Sequence, residues 1–142
     1  IVETENTAYF IHPIFTTYQN WAPAWFKKLF RNELERLLPD PIIQHNGPST
    51  TQVTVLEQNQ ENRKIVHVLH YVPVKKCKNL EIVEDVIPLY NLKITMNEER
   101  KVRDIYTVPD RQKIVYEQNG SELDFTVKEV NGHQMIAICY ES

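Results

Sequence analysis

The side chains best suited to metal chemistry are five histidines. His67 and His70 stand three residues apart in a stretch that predicts a β-strand, and side chains alternate between the faces of a strand. We therefore expect these two histidines on opposite faces, where they cannot share a metal ion. His133 follows an Asn-Gly pair and is expected in a turn, while His12 and His45 have no second donor at metal-ligand spacing. The sequence predicts no metal site.

Three carboxylates, Glu81, Glu84 and Asp85, form a small acidic cluster near the end of a predicted strand. Paired carboxylates can cleave glycosidic bonds when they are held at a fixed separation across a cleft. These three are sequence neighbours, which favours a charged sheet edge that discourages aggregation. A small independent hydrolase remains an alternative, and it requires Glu81 or Glu84 to face another carboxylate across a cleft.

The two cysteines, Cys77 and Cys139, are too few for a disulfide framework and are predicted to be free thiols. Lysines flank Cys77 and could favour its thiolate, but no histidine stands nearby as a partner base. The sequence also contains no glycine-rich phosphate loop, no G-x-S-x-G elbow and no paired C-x-x-C. We therefore predict no catalytic residue and no cofactor.

Four aromatic residues, Phe15, Tyr18, Trp21 and Trp25, crowd near the start of a predicted helix. Exposed Trp and Tyr rings can stack on sugars, and the same amphipathic rings are favoured at protein interfaces. Aromatic residues at helical spacing more often pack against a neighbouring domain. The four residues are therefore predicted to form an interface.

The composition excludes two classes of partner. The chain has 142 residues, with 16 Lys and Arg against 19 Asp and Glu, and a formal net charge of −3. Binding to nucleic acid or to an anionic membrane needs a surplus of Lys and Arg, so neither is expected. No apolar run approaches the roughly 18 residues that a membrane-spanning helix needs.

The chain begins with Ile1 and shows no signal peptide, so we interpret it as a segment of a longer protein. A signal peptide would then lie outside this segment. The compartment, whether cytoplasmic, periplasmic or secreted, stays open.

One amphipathic helix is predicted over residues 23–38. Apolar residues from Trp25 to Leu38 recur at helical spacing, and charged residues cover the other face. Pro23 suits the first turn, and Pro39 ends the helix because its ring cannot continue the hydrogen-bond ladder. Residues 1–22 are rich in aromatic side chains and show no clear period.

The remaining chain predicts a mainly β fold, an antiparallel β-sandwich preceded by that helix. Short strands alternate with turn residues and have no helical stretch between them. The strands are expected near residues 53–55, 64–72, 80–83, 86–96, 102–108, 112–117, 123–127 and 134–140. We place the sandwich domain at 48–142, and interpret residues 1–47 as the tail of a preceding domain.

Four segments carry a resemblance to a known family. They are KKLFRNELERLLPDP, PSTTQVTVLEQNQENRKIVHVLHYVP, LEIVEDVIPLYNLKITM and FTVKEVNGHQMIAICYE. Together they resemble the C-terminal region of bacterial glycoside-hydrolase-like proteins, in which a barrel is followed by a glutamine-amidotransferase-like domain of the β-galactosidase trimerisation type and then by a β-sandwich. The resemblance implies that residues 1 to about 40 end the trimerisation domain, and that the catalytic carboxylates belong to the barrel.

The resemblance therefore implies a non-catalytic accessory β-sandwich of a bacterial glycoside hydrolase, which supports the upstream catalytic and trimerisation domains. Its expected partners are those upstream domains of the same polypeptide, with a second copy of the chain as a further partner. The alternative is a carbohydrate-binding module that contacts glycan directly. Such a module requires an exposed row of aromatic residues or a polar groove.

Overall fold

The structure is a computed structural model that describes residues 1–141. The chain divides into two compact units, which we call the helical unit, Ile1–Pro41, and the sandwich unit, which begins at Ile42. The sequence predicted this division between residues 47 and 48. The structure places it earlier because Ile43–His45 already form a strand that pairs within the sandwich unit.

The helical unit contains two helices instead of the single predicted one. After a small antiparallel pair, β1 (Val2–Glu3) and β2 (Ala8–Tyr9), come α1 (Ile14–Trp21) and α2 (Ala24–Leu37). Helix α2 matches the predicted amphipathic helix. Helix α1 lies in the stretch that showed no period, because its eight residues make only about two turns, too few for a pattern to repeat.

Local backbone chemistry separates the two helices. Ala22 adopts a left-handed conformation, with φ of 48°, and its N–H donates to the carbonyl of Tyr18. Pro23 then precedes the first turn of α2. On α2, Arg36 donates hydrogen bonds to the carbonyls of Thr4 at 3.1 Å and Thr7 at 3.4 Å, which joins the β1–β2 turn to this helix.

Between residues 42 and 141, the sandwich unit contains ten strands and one 3-10 turn, Asn59–Glu61. The strands, in chain order, are β3 (Ile43–His45), β4 (Thr51–Gln58), β5 (Arg63–His70), β6 (Val74–Cys77), β7 (Leu80–Ile82), β8 (Leu89–Asn97), β9 (Val102–Val108), β10 (Tyr116–Asn119), β11 (Glu122–Val130) and β12 (His133–Tyr140).

Two antiparallel four-stranded sheets form the sandwich. We call them the first sheet, with strand order β10-β11-β8-β3, and the second sheet, with order β4-β5-β12-β9, while β6 and β7 pair separately. Strands make up 48% of the described residues and helices 18%, which confirms the prediction of a mainly β, antiparallel fold. The strand predicted at 112–117 differs most from the observed one, β10, which begins only at Tyr116. Residues 112–115 lie beside β9 instead and contact it through the Tyr106–Lys113 bridge.

The core lies between the two sheets and is filled by alternate side chains of both. Leu92, Ile94 and Met96 project inward from β8, and each is at most 1% exposed. Val66 and Val68 of β5 belong to the same cluster. Because every second residue of these strands faces inward, the alternating sequence pattern is sufficient to form a continuous apolar interior.

Candidate functional site

One histidine of β5 contacts a histidine of the neighbouring strand β12, and the sequence did not predict this contact. His67 and His70 do lie on opposite faces of β5, and the buried His70 ring is 3.2 Å from the Thr50 hydroxyl. His67 instead meets His133, with Nδ1 and Nε2 3.1 Å apart and the rings stacked at 5.3 Å. His133 is the first residue of β12, not a turn residue, and the β5–β12 register makes it a diagonal neighbour of His67.

The acidic cluster lies on the surface around the β6–β7 hairpin. Glu81, Glu84 and Asp85 are all exposed, and Glu84 forms an ion pair with Lys76. Both cysteines are free thiols, as the sequence predicted. Cys77 is exposed in β6, and Cys139 is buried in β12. Within residues 1–141, no three His, Cys, Asp or Glu side chains are grouped so that they could hold a metal ion.

The most tightly bonded polar cluster surrounds Glu98, which the sequence did not single out. This carboxylate is only 3% exposed. It accepts hydrogen bonds from Lys64 Nζ and Tyr140 Oη, each at 2.6 Å, and from the Arg100 backbone N–H at 3.1 Å. The Arg100 guanidinium also lies 3.8 Å from the centre of the Tyr140 ring. The cluster joins the end of β8 to β5 and β12 of the opposite sheet.

These contacts fix the charge of Glu98. Burial by itself would raise the pKa of this carboxyl, but the hydrogen bonds from Lys64, Tyr140 and Arg100 outweigh it and lower the pKa to about 2. Burial, together with the hydrogen bond to Glu98, raises the pKa of the Tyr140 hydroxyl well above its ordinary value. Glu98 therefore remains an anion at neutral pH, and its geometry suits a structural role rather than proton donation.

The four predicted interface residues are strongly exposed. Phe15, Trp21 and Trp25 are 63%, 79% and 59% exposed, and Tyr18 is 40% exposed. Phe15 packs edge-on against Phe30, with ring centres 5.0 Å apart. With their neighbours on α1 and α2, Phe15 and Tyr18 line a shallow apolar cavity of about 250 Å³.

The helical unit has little interior of its own. Among residues 1–41, Ile14 is the single buried side chain. An isolated unit of this size buries too small a share of its surface to be stable without further contacts. We call the exposed residues Phe15, Tyr18, Trp21 and Trp25 the aromatic surface.

A second feature, which we call the polar groove, lies in the sandwich unit. Strand β10 pairs with β11 only as far as Phe125, although β11 continues to Val130. Since residues 112–115 turn toward β9, an open cavity of about 720 Å³ remains beside the second half of β11. Its polar lining includes Asn91, Asp110, Gln112, Lys128, Asn131 and His133. Sequence reasoning missed this groove because it depends on where β10 stops pairing.

A search against protein-family models finds no match, and a search of curated proteins finds none either. Among solved structures, the chain is similar to alpha-L-fucosidase isoenzyme 2 from Paenibacillus thiaminolyticus, with a TM-score of 0.85 and 28% sequence identity. The match covers 91% of this chain and 20% of the fucosidase chain. This chain therefore spans about a fifth of the length of the fucosidase that it matches.

The likeness relates this β-domain to a glycoside hydrolase, since an alpha-L-fucosidase belongs to that class of enzyme. The match agrees with the predicted relation to glycoside hydrolases. The neighbouring trimerisation domain remains a prediction. Within residues 1–141, the two helices are too short or too polar to cross a membrane.

Proposed function

We propose that this chain is a non-catalytic accessory domain of a larger glycoside hydrolase, in which it supports the upstream catalytic and trimerisation domains. The observation that carries the proposal is the coverage of the match, because an alpha-L-fucosidase contains a similar domain as one fifth of its chain. The reactive carboxylates of the parent enzyme would then lie in the remaining part of the polypeptide. Glu81, Glu84 and Asp85 would be surface charges.

In this proposal the aromatic surface contacts the preceding domain of the same polypeptide. Phe15, Trp21 and Trp25 each expose more than half of their side chains to solvent. Burying apolar area stabilises a contact by roughly 25 cal/mol per Å², and a specific interface needs about 800 Å² on each partner. The aromatic surface offers the centre of such an interface, and the surrounding charged side chains of α2 would form its rim.

The sandwich unit would serve as the rigid support. Its interior is closed by apolar side chains of both sheets, and the Glu98 cluster ties the sheets together at one end. A second copy of the chain is the further partner that this arrangement allows. Neither nucleic acid nor a membrane is proposed as a partner, because the net charge of −3 favours neither.

Aryl α-L-fucoside hydrolysis by the complete protein and by the 142-residue chain tests the non-catalytic role. We expect turnover by the complete protein and none by the chain alone. Turnover by the chain alone that is lost in Glu81→Gln or Glu84→Gln would overturn the proposal and support the independent hydrolase.

The docking role is tested separately in the complete protein. The double variant Trp21→Ser/Trp25→Ser should lower its melting temperature or dissociate its assembly, whereas Tyr90→Ser, which removes an aromatic ring that is 59% exposed on the sandwich unit, should not. Equal effects of the two changes would contradict the docking role.

A second candidate function is direct contact with glycan. The specific observation that favours it is the polar groove of the sandwich unit, which has the size of a small-molecule site.

A further inference from the structure

The polar groove is a consequence of the fold. The segment before β10 follows β9 of the second sheet, with Ile114 N–H donating to the carbonyl of Ile105 at 2.9 Å, and the chain joins the first sheet only at Tyr116. The second half of β11 consequently pairs with β8 on one side and borders the groove on the other. The cavity of about 720 Å³ falls in the range of about 300–1,000 Å³ that is usual for ligand sites.

We propose that the polar groove binds a neutral oligosaccharide, with Asn91, Gln112, Lys128 and Asn131 as the hydrogen-bonding side chains. The choice of a sugar rests in part on the proposed function, because a domain of a glycoside hydrolase is exposed to glycan. The position of the site rests on the groove itself.

The groove is lined by side chains that supply both donors and acceptors. Each sugar hydroxyl can donate and accept, and the amides of Asn91, Gln112 and Asn131 offer both functions in one planar group. In residues 1–141, the side chains of Asn91, Lys128 and Asn131 have no hydrogen-bond partner, while Gln112 donates to Asp110 at 3.2 Å. A ligand can therefore bind these exposed groups by replacing water, without breaking hydrogen bonds within the protein apart from that of Gln112.

The charges around the groove favour a neutral ligand. Lys113 and Lys128 contribute two positive charges to its lining, and Asp110 and Glu129 contribute two negative ones. Because these charges balance, the groove presents no net attraction to a phosphate or to another strongly charged ligand. A neutral molecule rich in hydroxyl groups can hydrogen-bond with the positive, the negative and the amide side chains of the groove.

The backbone next to these side chains is shaped unusually. Asn91 has φ of 53°, a left-handed conformation that is uncommon within a strand. The β8–β11 ladder is regular on both sides, at Leu92–Val127 and Tyr90–Glu129, but the Asn91–Lys128 pair between them is missing. The irregularity places two polar residues of adjacent strands at the groove, where locally strained backbone often marks a functional site.

An apolar contact for the sugar ring is also present. Val115 lines the groove and is 90% exposed, and Ile114 beside it is half-buried. Sugars combine hydroxyl groups with apolar C–H faces. In the proposed complex Val115 covers such a face while the amides bind the hydroxyls, and Ile114 anchors this segment because its side chain packs against the core.

The experiment measures binding of L-fucose, lactose and a fucosylated lactose to the 142-residue chain by NMR titration and calorimetry. We expect saturable shifts at the amides of Asn91, Lys128 and Asn131. The double variant Asn91→Gly/Gln112→Ala should weaken binding about tenfold or more, since each lost hydrogen bond contributes about 1 kcal/mol. Glycine at position 91 removes the amide while it permits the left-handed conformation.

The control variant is Gln52→Ala, which removes an exposed amide from β4, outside the groove. It should leave sugar binding unchanged, and urea unfolding of both variants verifies that they are folded. Absence of binding by all three sugars at millimolar concentration would overturn the proposal, as would equal weakening by the control.

Two further outcomes identify other ligands or sites. Loss of sugar binding in Trp21→Ser/Trp25→Ser, with Asn91→Gly/Gln112→Ala unaffected, would move the site to the aromatic surface and overturn the groove. Shifts in β11 caused by an extended peptide and by none of the sugars would instead assign the groove to strand pairing. None of these measurements depends on whether the aromatic surface docks on another domain, so the two proposals fail independently.

Discussion

Lys64 of β5 and Glu98 at the end of β8 form an ion pair between opposite sheets, with Nζ and Oε2 2.6 Å apart. Glu98 is 3% exposed, and the same oxygen accepts a hydrogen bond from Tyr140. A buried charge is tolerated only where its partners compensate the loss of hydration. The Glu98 cluster is therefore a fixed connection between the sheets.

We expect Glu98→Gln to lower the free energy of unfolding by about 3 kcal/mol, because breaking a buried pair leaves Lys64 without its counter-charge. Glu99→Gln is the matched control, since Glu99 is adjacent and exposed, and it should change stability by less than about 0.5 kcal/mol. Urea unfolding of the three proteins measures the difference. Similar values for both variants would contradict the role of Glu98.

The contribution of Glu98 should also depend on pH. Its pKa is lowered in the folded protein from 4.5 to about 2, so the folded state favours the ionised form. The stabilisation is fully present above about pH 4.5 and is lost as the pH falls through about 2, with a total of at most about 3 kcal/mol. Unfolding of the wild type and of Glu98→Gln between pH 7 and pH 2 should show converging stabilities. A difference that stays constant over this range would contradict the assignment.

The sequence predicted the parts of the fold that depend on local pattern. Strand β9 was expected at 102–108 and lies at Val102–Val108, and helix α2 lies within the expected range of 23–38. In both elements, apolar side chains recur at the spacing that places them on one face of the strand or helix. The pattern is therefore sufficient to predict each element, although no side chain of α2 is buried.

The elements that were missed depend on contacts between distant residues. Strand β3 has three residues and exists through pairing with β8, so nothing in Ile43–His45 alone indicates it. The His67–His133 contact needs the β5–β12 register, and the Glu98 cluster needs both sheets. A Glu beside a strand end gives no sign of burial in the sequence, since most such residues are solvated.

The turn between β11 and β12 gives a prediction about backbone conformation. Gly132 has φ of 74°, and a Cβ added there would lie 2.8 Å from the Tyr71 hydroxyl oxygen. We expect Gly132→Ala to cost about 2 kcal/mol, from the left-handed conformation together with the displacement of the Tyr71 ring that the added Cβ requires.

Gly120→Ala is the control for that experiment. Gly120 has φ of 63° and nothing within 4 Å of the added Cβ, so only the conformational cost of about 1 kcal/mol applies. Thermal or urea unfolding measures both variants. The excess cost at Gly132 should disappear in a Tyr71→Ala background, and its persistence there would show that Tyr71 is not the cause.

The aromatic surface should cause the 142-residue chain to self-associate when it is studied by itself. Without the neighbouring domains, Phe15, Trp21 and Trp25 remain exposed, and contact between copies is the available way to bury them. We expect concentration-dependent self-association in sedimentation equilibrium. Trp21→Ser should reduce it and should change the free energy of unfolding by less than about 0.5 kcal/mol, because Trp21 is 79% exposed.

Val115→Ser, which removes a 90% exposed apolar side chain from the sandwich unit, should leave association unchanged. A chain that stays monomeric at all concentrations, or one that responds equally to both changes, would contradict an interface at the aromatic surface.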